Sequence, residues 1–192
     1  MTTGKLRLLV GGIVCLFAHV SWSLDIQTVL TSATIAPPAT VGFREERHNK
    51  MLKEALILTG YLEYIEAGRL RKVVESPFQE AFLIDNDRIE IERDGETRTL
   101  SLSKNRTLQA MLGGIEAILA GQIARVERVF SYQLSGTADD WSIQLTPHSS
   151  RIAKHLTGLL VTGNSGAVTS IRIDLKDGEW HLMEIVKTDP VP

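Results

Sequence analysis

The chain has 192 residues, 21 Lys and Arg against 23 Asp and Glu for a formal net charge of -2, 43% hydrophobic residues and a single cysteine. A charge balance this close to neutral excludes the basic surface of a nucleic-acid binder, and the apolar content excludes a disordered chain. The length suits one domain with a sizeable core.

The first residues read as an address. Lys5 and Arg7 precede the apolar run Leu8 to Val20, and Ser21-Trp22-Ser23 offers small residues where a signal peptidase reads. The run falls short of the roughly 20 apolar residues that span a bilayer. Residues 1–23 are therefore expected to be a secretory signal cleaved after Ser23, leaving residues 24–192 as a single domain; an uncleaved N-terminal anchor is the alternative. Cys15 lies inside the apolar run with Val14 before it, where a lipoprotein signal needs a small residue, so no lipid anchor is expected. Cleavage would remove Lys5, Arg7 and the only cysteine, leaving 19 basic against 23 acidic residues, a net charge of -4. With no disulfide to form, a packed core must hold the domain together.

Residues 24–35 carry Leu24, Ile26, Val29, Leu30 and Ile35 at helical spacing, and Pro37-Pro38 ends that helix. A strand follows over Val41 to Arg47 with Val41 and Phe43 inward. Five more are predicted from period-two alternation: Ala55 to Tyr64, Leu70 to Glu75, Glu80 to Ile84, Arg88 to Arg93, and Glu96 to Leu102. Ala67-Gly68, Ser76-Pro77, Asp85-Asn86-Asp87 and Asp94-Gly95 supply the turns, and Asp-Gly between alternating runs is the strongest hairpin signal of the set. The charges Glu90, Glu92, Arg93, Glu96 and Arg98 read as a solvated face.

Residues 107–121 break the alternation. Leu108, Met111, Leu112, Ile115, Ile118 and Leu119 follow helical spacing, with Thr107 expected as N-cap and Gly121 as C-cap. A helix this apolar must be buried over much of its surface. Gly113-Gly114 weakens it by about 1 kcal/mol per glycine relative to alanine, which close packing on a sheet would explain; the sharper reading is a helix that bends or shifts when a cavity beneath it fills. Strands return over Val126 to Ser135, Trp141 to Pro147, Leu156 to Asn164, Ala167 to Leu175 and Glu179 to Val186, with a short serine-started helix near Ser149 to Lys154. The expected fold is mainly β with helices: one strongly curved antiparallel sheet, an incomplete 11-stranded barrel, capped by helices on its concave face. Such a sheet can enclose an apolar hollow.

Several stretches carry a family resemblance. Phe43 before a polar strand, Thr59-Gly60-Tyr61-Leu62 leading to Gly68-Arg69-Leu70-Arg71, Ser76-Pro77, then Phe82-Leu83-Ile84-Asp85 with Arg88-Ile89-Glu90-Ile91 resemble the periplasmic outer-membrane lipoprotein carriers, the LolA-like proteins. Trp141 to Pro147, Val168 to Asp174 and Asp177-Gly178 fit the same plan, so the resemblance spans the whole of residues 24–192. It implies a carrier that performs no covalent chemistry, needs no cofactor, and shuttles an acylated lipoprotein or glycolipid cargo through the periplasm as a monomer, from an inner-membrane exporter to an outer-membrane acceptor. On that plan the cavity and lid candidates are Leu62, Tyr64, Leu70, Phe82, Ile84, Ile89 and Ile91 on the sheet, with Leu108, Met111, Leu112, Ile115 and Leu119 on the helix. The family's lid arginine has no counterpart in register: Glu66-Ala67 stands where members carry Arg-Pro, Arg69 is nearby, and Lys72 takes a position where members often carry tryptophan.

Two other classes compete. His48, His148, His155 and His181 with Ser149-Ser150 could be drawn as a hydrolase, but no G-x-S-x-G elbow, H-E-x-x-H pair or C-x-x-C spacing supports it, and His148 and His155 seven residues apart make a weak metal pair. No catalytic residue and no metal ligand is expected. A non-catalytic cell-envelope interaction or structural protein, pairing through its sheet edge, fits the same strands.

Overall fold

A computed structural model describes residues 24–186, so the expected leader lies outside the described residues. Helix α1 (Ile26–Ala33) starts at Asp25, whose carboxylate accepts the Thr28 N–H at 2.9 Å. Then come β1 (Ala39–His48), β2 (Leu56–Glu66), β3 (Arg69–Ser76), β4 (Glu80–Asp85), β5 (Arg88–Arg93) and β6 (Glu96–Ser101). Helices α2 (Arg106–Leu119) and α3 (Ile123–Glu127) follow, and then β7 (Phe130–Gly136), β8 (Trp141–Pro147), α4 (Ser150–Ala153), β9 (Leu156–Asn164), β10 (Ala167–Leu175) and β11 (Trp180–Val186).

All eleven strands join one antiparallel sheet in the order β6-β5-β4-β3-β2-β1-β11-β10-β9-β8-β7, with β6 and β7 left as unpaired edges, so the barrel is not closed. The order has a simple cause. Each hairpin pairs with its sequence neighbour, and the first and last strands meet through Phe43 opposite Ile185 and Glu45 opposite Met183. The chain thus runs out from the middle to one edge, crosses to the other edge through α2 and α3, and returns. The helices are the crossover, and that is why they lie across the concave face.

The main apolar core forms where those helices meet β7 to β10. Val29, Leu30 and Ala33 of α1, Ala117 and Ile118 of α2 and Val126 of α3 pack with Phe130, Trp141, Ile143, Leu145, Leu159 and Val161. A second, smaller core of Phe43, Leu58 and Val74 lies under β1 to β3, flanked by partly buried Leu62, Phe78, Phe82 and Met183.

Three sequence expectations shift. Val126 does not begin a strand: it is fully buried in α3, and the strand starts at Phe130. Val126, Val129 and Phe130 are spaced three and four apart, a helical interval, and true alternation starts only with Phe130, Tyr132 and Leu134. The N-cap of α2 is Asn105 rather than Thr107; its side chain accepts the Leu108 N–H at 3.1 Å, which starts the helix two residues earlier. Its last helical residue is Leu119, and Gly121, at φ 67, turns the chain away just beyond. Leu102, expected at the end of a strand, instead starts one 3-10 turn and is buried. The Asp94-Gly95 turn is as expected, with φ 54 and 79 in a two-residue hairpin loop between β5 and β6.

Candidate functional site

The pairing register gathers the sheet candidates into two adjacent rows on one face. Tyr64 lies opposite Leu70, Leu70 opposite Ile84, Ile84 opposite Ile89, and Ile89 opposite Leu100. In the next row Leu62 opposes Lys72, Lys72 opposes Phe82, and Phe82 opposes Ile91. Alternate residues of a strand share a face, so all seven candidates from β2 to β5 point the same way. Tyr64 and Ile89 are buried, but Leu62, Leu70, Phe82, Ile84 and Ile91 are only half-buried, and Leu100 is 48% exposed. Apart from Leu62 and Phe82, which flank the small core, none of these residues packs into either apolar core.

Helix α2 divides its apolar residues by size. The small residues Ala110, Gly114 and Ala117, with Ile118, are the buried ones, and their spacing of four, three and one makes a single stripe. The large residues Leu108, Met111, Leu112, Ile115 and Leu119 are half-buried, against the expectation that most of the helix surface would be covered. Met111, Ile115 and Leu119 lean on the main core, while Leu108 and Leu112 belong to neither core. Gly114 explains the close approach: a Cβ there would lie 2.8 Å from the Phe130 ring, whereas one at Gly113 would meet nothing within 4 Å. The glycine pair therefore has one member set by packing and one that faces open space.

Sequence reading missed a charge cluster on the same concave face. Glu45 is 97% buried, being only 3% exposed, and its carboxylate accepts from Lys72 Nζ and from Arg47 Nε at 2.8 Å, with His181 Nδ1 at 3.7 Å. Lys72 also sits over the Phe43 ring, 4.6 Å from its centre. Burial pushes the Glu45 carboxyl up, but Lys72 and Arg47 together outweigh it and hold it below the ordinary carboxylate value. Burial and the neighbouring Arg47 hold His181 below its usual value, against the pull of Glu45. The signal was present in the alternation Phe43, Glu45, Arg47, which puts Glu45 inward as surely as Phe43. The Lys72 row interrupts the apolar wall, so the wall is continuous only along Tyr64, Leu70, Ile84 and Ile89.

One contact ties the sheet to the helices. The Gly68 N–H, in the β2–β3 turn, donates to Glu116 of α2 at 2.9 Å, and the second oxygen of that carboxylate takes Arg125 of α3 at 2.9 Å. Arg69 does not reach the helices by an ion pair; its partner is Glu66 at 3.6 Å. The buried Tyr64 phenol is pushed above its usual value, by burial first and then by the charge of Glu116.

Two hollows flank the start of α2. One, of about 410 Å³, lies between α2, α3 and the start of α4. The other, of about 670 Å³, lies between Leu108, Met111 and the α4 end, reaching His155 and Leu175. Leu108 and Met111 are the only sequence candidates lining either. The four histidines do not converge: His148 and His155 are exposed, His48 stacks on Trp180 at 5.5 Å, and His181 joins the Glu45 cluster. Among the described residues no group of three His, Cys, Asp or Glu is arranged to hold a metal, and no helix is long and apolar enough to cross a membrane.

Among solved structures the chain is similar to a LolA superfamily protein from Nitrosomonas europaea, at 12% identity over 88% of this chain and 96% of that one, with a TM-score of 0.43. It is similar to MucB at 14% identity over 88% of this chain and 59% of that one, with a TM-score of 0.47, and so spans under two thirds of MucB's length. It is similar to the lipoprotein LppX of Mycobacterium tuberculosis at 11% identity over 87% of this chain and 97% of that one, with a TM-score of 0.43. Among curated proteins none matches the chain. The family described as outer membrane lipoprotein carrier protein LolA-like matches residues 18–183, which is most of the sequence, and the chain belongs to that family.

Proposed function

We propose that this protein is a periplasmic carrier, made with a cleaved leader over residues 1–23 and working as the single domain 24–192, that holds the acyl chains of a lipoprotein or glycolipid and takes them from an inner-membrane exporter to an outer-membrane acceptor. It is a binding protein rather than an enzyme. The observation that carries the reading is the apolar wall of β2 to β5, where Leu70, Ile84 and Ile91 are inward-facing, half-buried and outside both apolar cores. Leu112 and Leu108 of α2 are apolar residues in the same condition.

Magnitudes favour partial burial. A sixteen-carbon chain wholly removed from water is worth up to about 13 kcal/mol at about 0.8 kcal/mol per methylene, too much for a cargo that has to be released. A wall left half open, and interrupted at Lys72, binds more weakly and lets the chain go. In this reading Glu116 to Gly68 is the contact that opens to admit cargo, made by a helix carboxylate on a backbone amide of the β2–β3 turn.

The test is binding of a fluorescent fatty-acyl probe, with native mass spectrometry of the purified protein for bound acyl species. Ile84→Glu and Ile91→Glu should each abolish probe binding while circular dichroism stays unchanged. Leu112→Glu should do the same from the helix side. Full binding by all three folded variants would rule out this wall, and ester or glycoside hydrolysis by the native protein would restore an enzyme reading.

A further inference from the structure

The two hollows beside α2 share Arg106. They lie on either side of the groove between α2 and the α4 segment, away from the β2–β5 wall. Their floors are apolar: Ala110, Gly113, Phe130 and Ile152 in the smaller, Leu108, Met111 and Leu175 in the larger. Their charges are of one sign. Arg106, Arg125 and Arg128 line the smaller hollow, Lys104, Arg106 and Arg151 the larger, and no Asp or Glu lines either.

This stands out against a chain with more acids than bases. Surface arginines are ordinarily interspersed with carboxylates, and elsewhere among the described residues most are: Arg44, Arg71, Arg93 and Arg172 all have acidic partners within 4 Å, Arg88 being the exception. In the groove only Arg125 has one, through Glu116. Among the described residues Lys104, Arg106, Arg128 and Arg151 form no ion pair. Both hollows are open to solvent on one side, and their linings expose more apolar than polar surface. Gly113 adds room, since its missing side chain leaves the floor of the smaller hollow open.

We infer that the α2–α4 groove is a second binding site, for the phosphate-bearing headgroup of an anionic lipid, with Arg106 and Arg151 as its principal charge partners and the apolar floors taking the first carbons of the chains. Guanidinium pairs with phosphate through parallel hydrogen bonds, which makes a cluster of free arginines a better match for phosphate than for a neutral head. A zwitterionic head carries its own ammonium, which the cations repel. The two sites share Leu108 of α2 but no sheet residue, so variants of the β2–β5 wall and of Arg106 and Arg151 test them separately.

The test titrates the protein with dihexanoyl phosphatidylglycerol, dihexanoyl phosphatidylcholine and inorganic phosphate, below any micelle concentration, with amide chemical shifts as the readout. The phosphatidylglycerol is expected to bind at least about tenfold more tightly than either alternative, with shifts at Gly113, Phe130 and Ile152, and to weaken as salt rises. Arg106→Glu with Arg151→Glu should remove that preference. Both residues are exposed, and a carboxylate at the first position of α2 favours the helix, so lost binding cannot be put down to a lost fold; Arg106→Lys should retain part of it. Equal affinity for the phosphatidylcholine, inorganic phosphate binding as well as the lipid, shifts confined to the β2–β5 wall, or binding only to phosphatidylglycerol vesicles and not to the monomeric lipid would each overturn the inference.

Discussion

The two halves of the sheet use the same strand chemistry to opposite ends. Under the helices, β7 to β10 present Trp141, Ile143, Leu145, Leu159 and Val161, each no more than 2% exposed. Across the sheet, β2 to β5 present residues of the same kind, Leu70, Phe82, Ile84 and Ile91, and leave them half-buried. The difference lies in what covers them. Crossing from β6 to β7 places α2 and α3 on the far half, and the near half has only a three-residue core of its own, with an ion cluster set into it. One half is packed as the core of the fold, and the other leaves its inward apolar residues half-buried.

The sharpest way to break that comparison is to delete equivalent apolar side chains from both halves. Phe130→Ala should cost about 3–5 kcal/mol and Leu145→Ala about 2–5 kcal/mol, as deletions in a dry core do. Ile91→Ala should cost less than about 1 kcal/mol, because its side chain is already partly in water. Urea denaturation of the three variants measures this; similar losses for Ile91 and Leu145 would mean the near half is as structural as the far half.

Next in size is the ion cluster. Lys72→Met leaves Glu45 buried with only Arg47 as a close partner, and should cost about 3 kcal/mol. The double change Lys72→Met with Glu45→Leu removes the uncompensated charge and should recover most of the loss, since buried pairs are often replaceable by apolar residues of similar volume. A double-mutant cycle reads the coupling directly. Additive losses would mean that the pair does not set the stability of this half.

The glycine pair gives a smaller, two-signed effect. Gly114→Ala drives a Cβ against the Phe130 ring and should destabilise by about 1–3 kcal/mol. Gly113→Ala meets open space and should stabilise by up to about 1 kcal/mol through helix propensity. Thermal melts of the two single variants would separate packing from propensity at neighbouring positions.

Much of this architecture is legible in the chain. Alternation of Phe82/Ile84 and Ile89/Ile91 marks strands without any knowledge of their partners, and Asp94-Gly95 names its own turn. What required coordinates is whatever depends on pairing across distance. The sequence shows that Glu45 lies inward, but only the register of β1, β2 and β3 brings Lys72 to it. Likewise the five large apolar residues of α2 fit the spacing of a buried helix. That Ala110, Gly114 and Ala117 take the buried stripe depends on how close Phe130 approaches, a distance no periodicity contains. The sequence extends β7 back to Val126 because that residue belongs to two patterns at once, and only a packed neighbour assigns it to α3.

The smallest predicted effect concerns acid. His181 is held below its ordinary value of 6.5 in the folded protein, chiefly by burial and Arg47, with Glu45, Lys72 and Glu179 also acting on it. As pH falls through 6.5 the unfolded chain takes up the proton first, so the folded state loses stability from there down to the folded value and no further. Glu45, held below its ordinary 4.5, adds a second loss that begins near 4.5 and continues as pH falls through its folded value. Stability should therefore decline in two steps on acidification, both arising in the near half. His181→Asn should flatten the upper step and leave the lower one. On the far half the Asp25 carboxyl, held low by its hydrogen bonds from Thr28 at the start of α1, begins to cost stability only below its ordinary 3.8, so hydrogen exchange near pH 5.5 should rise in β1, β3 and β11 before it rises in β8 and β9; a uniform rise would place the acid sensitivity outside the cluster.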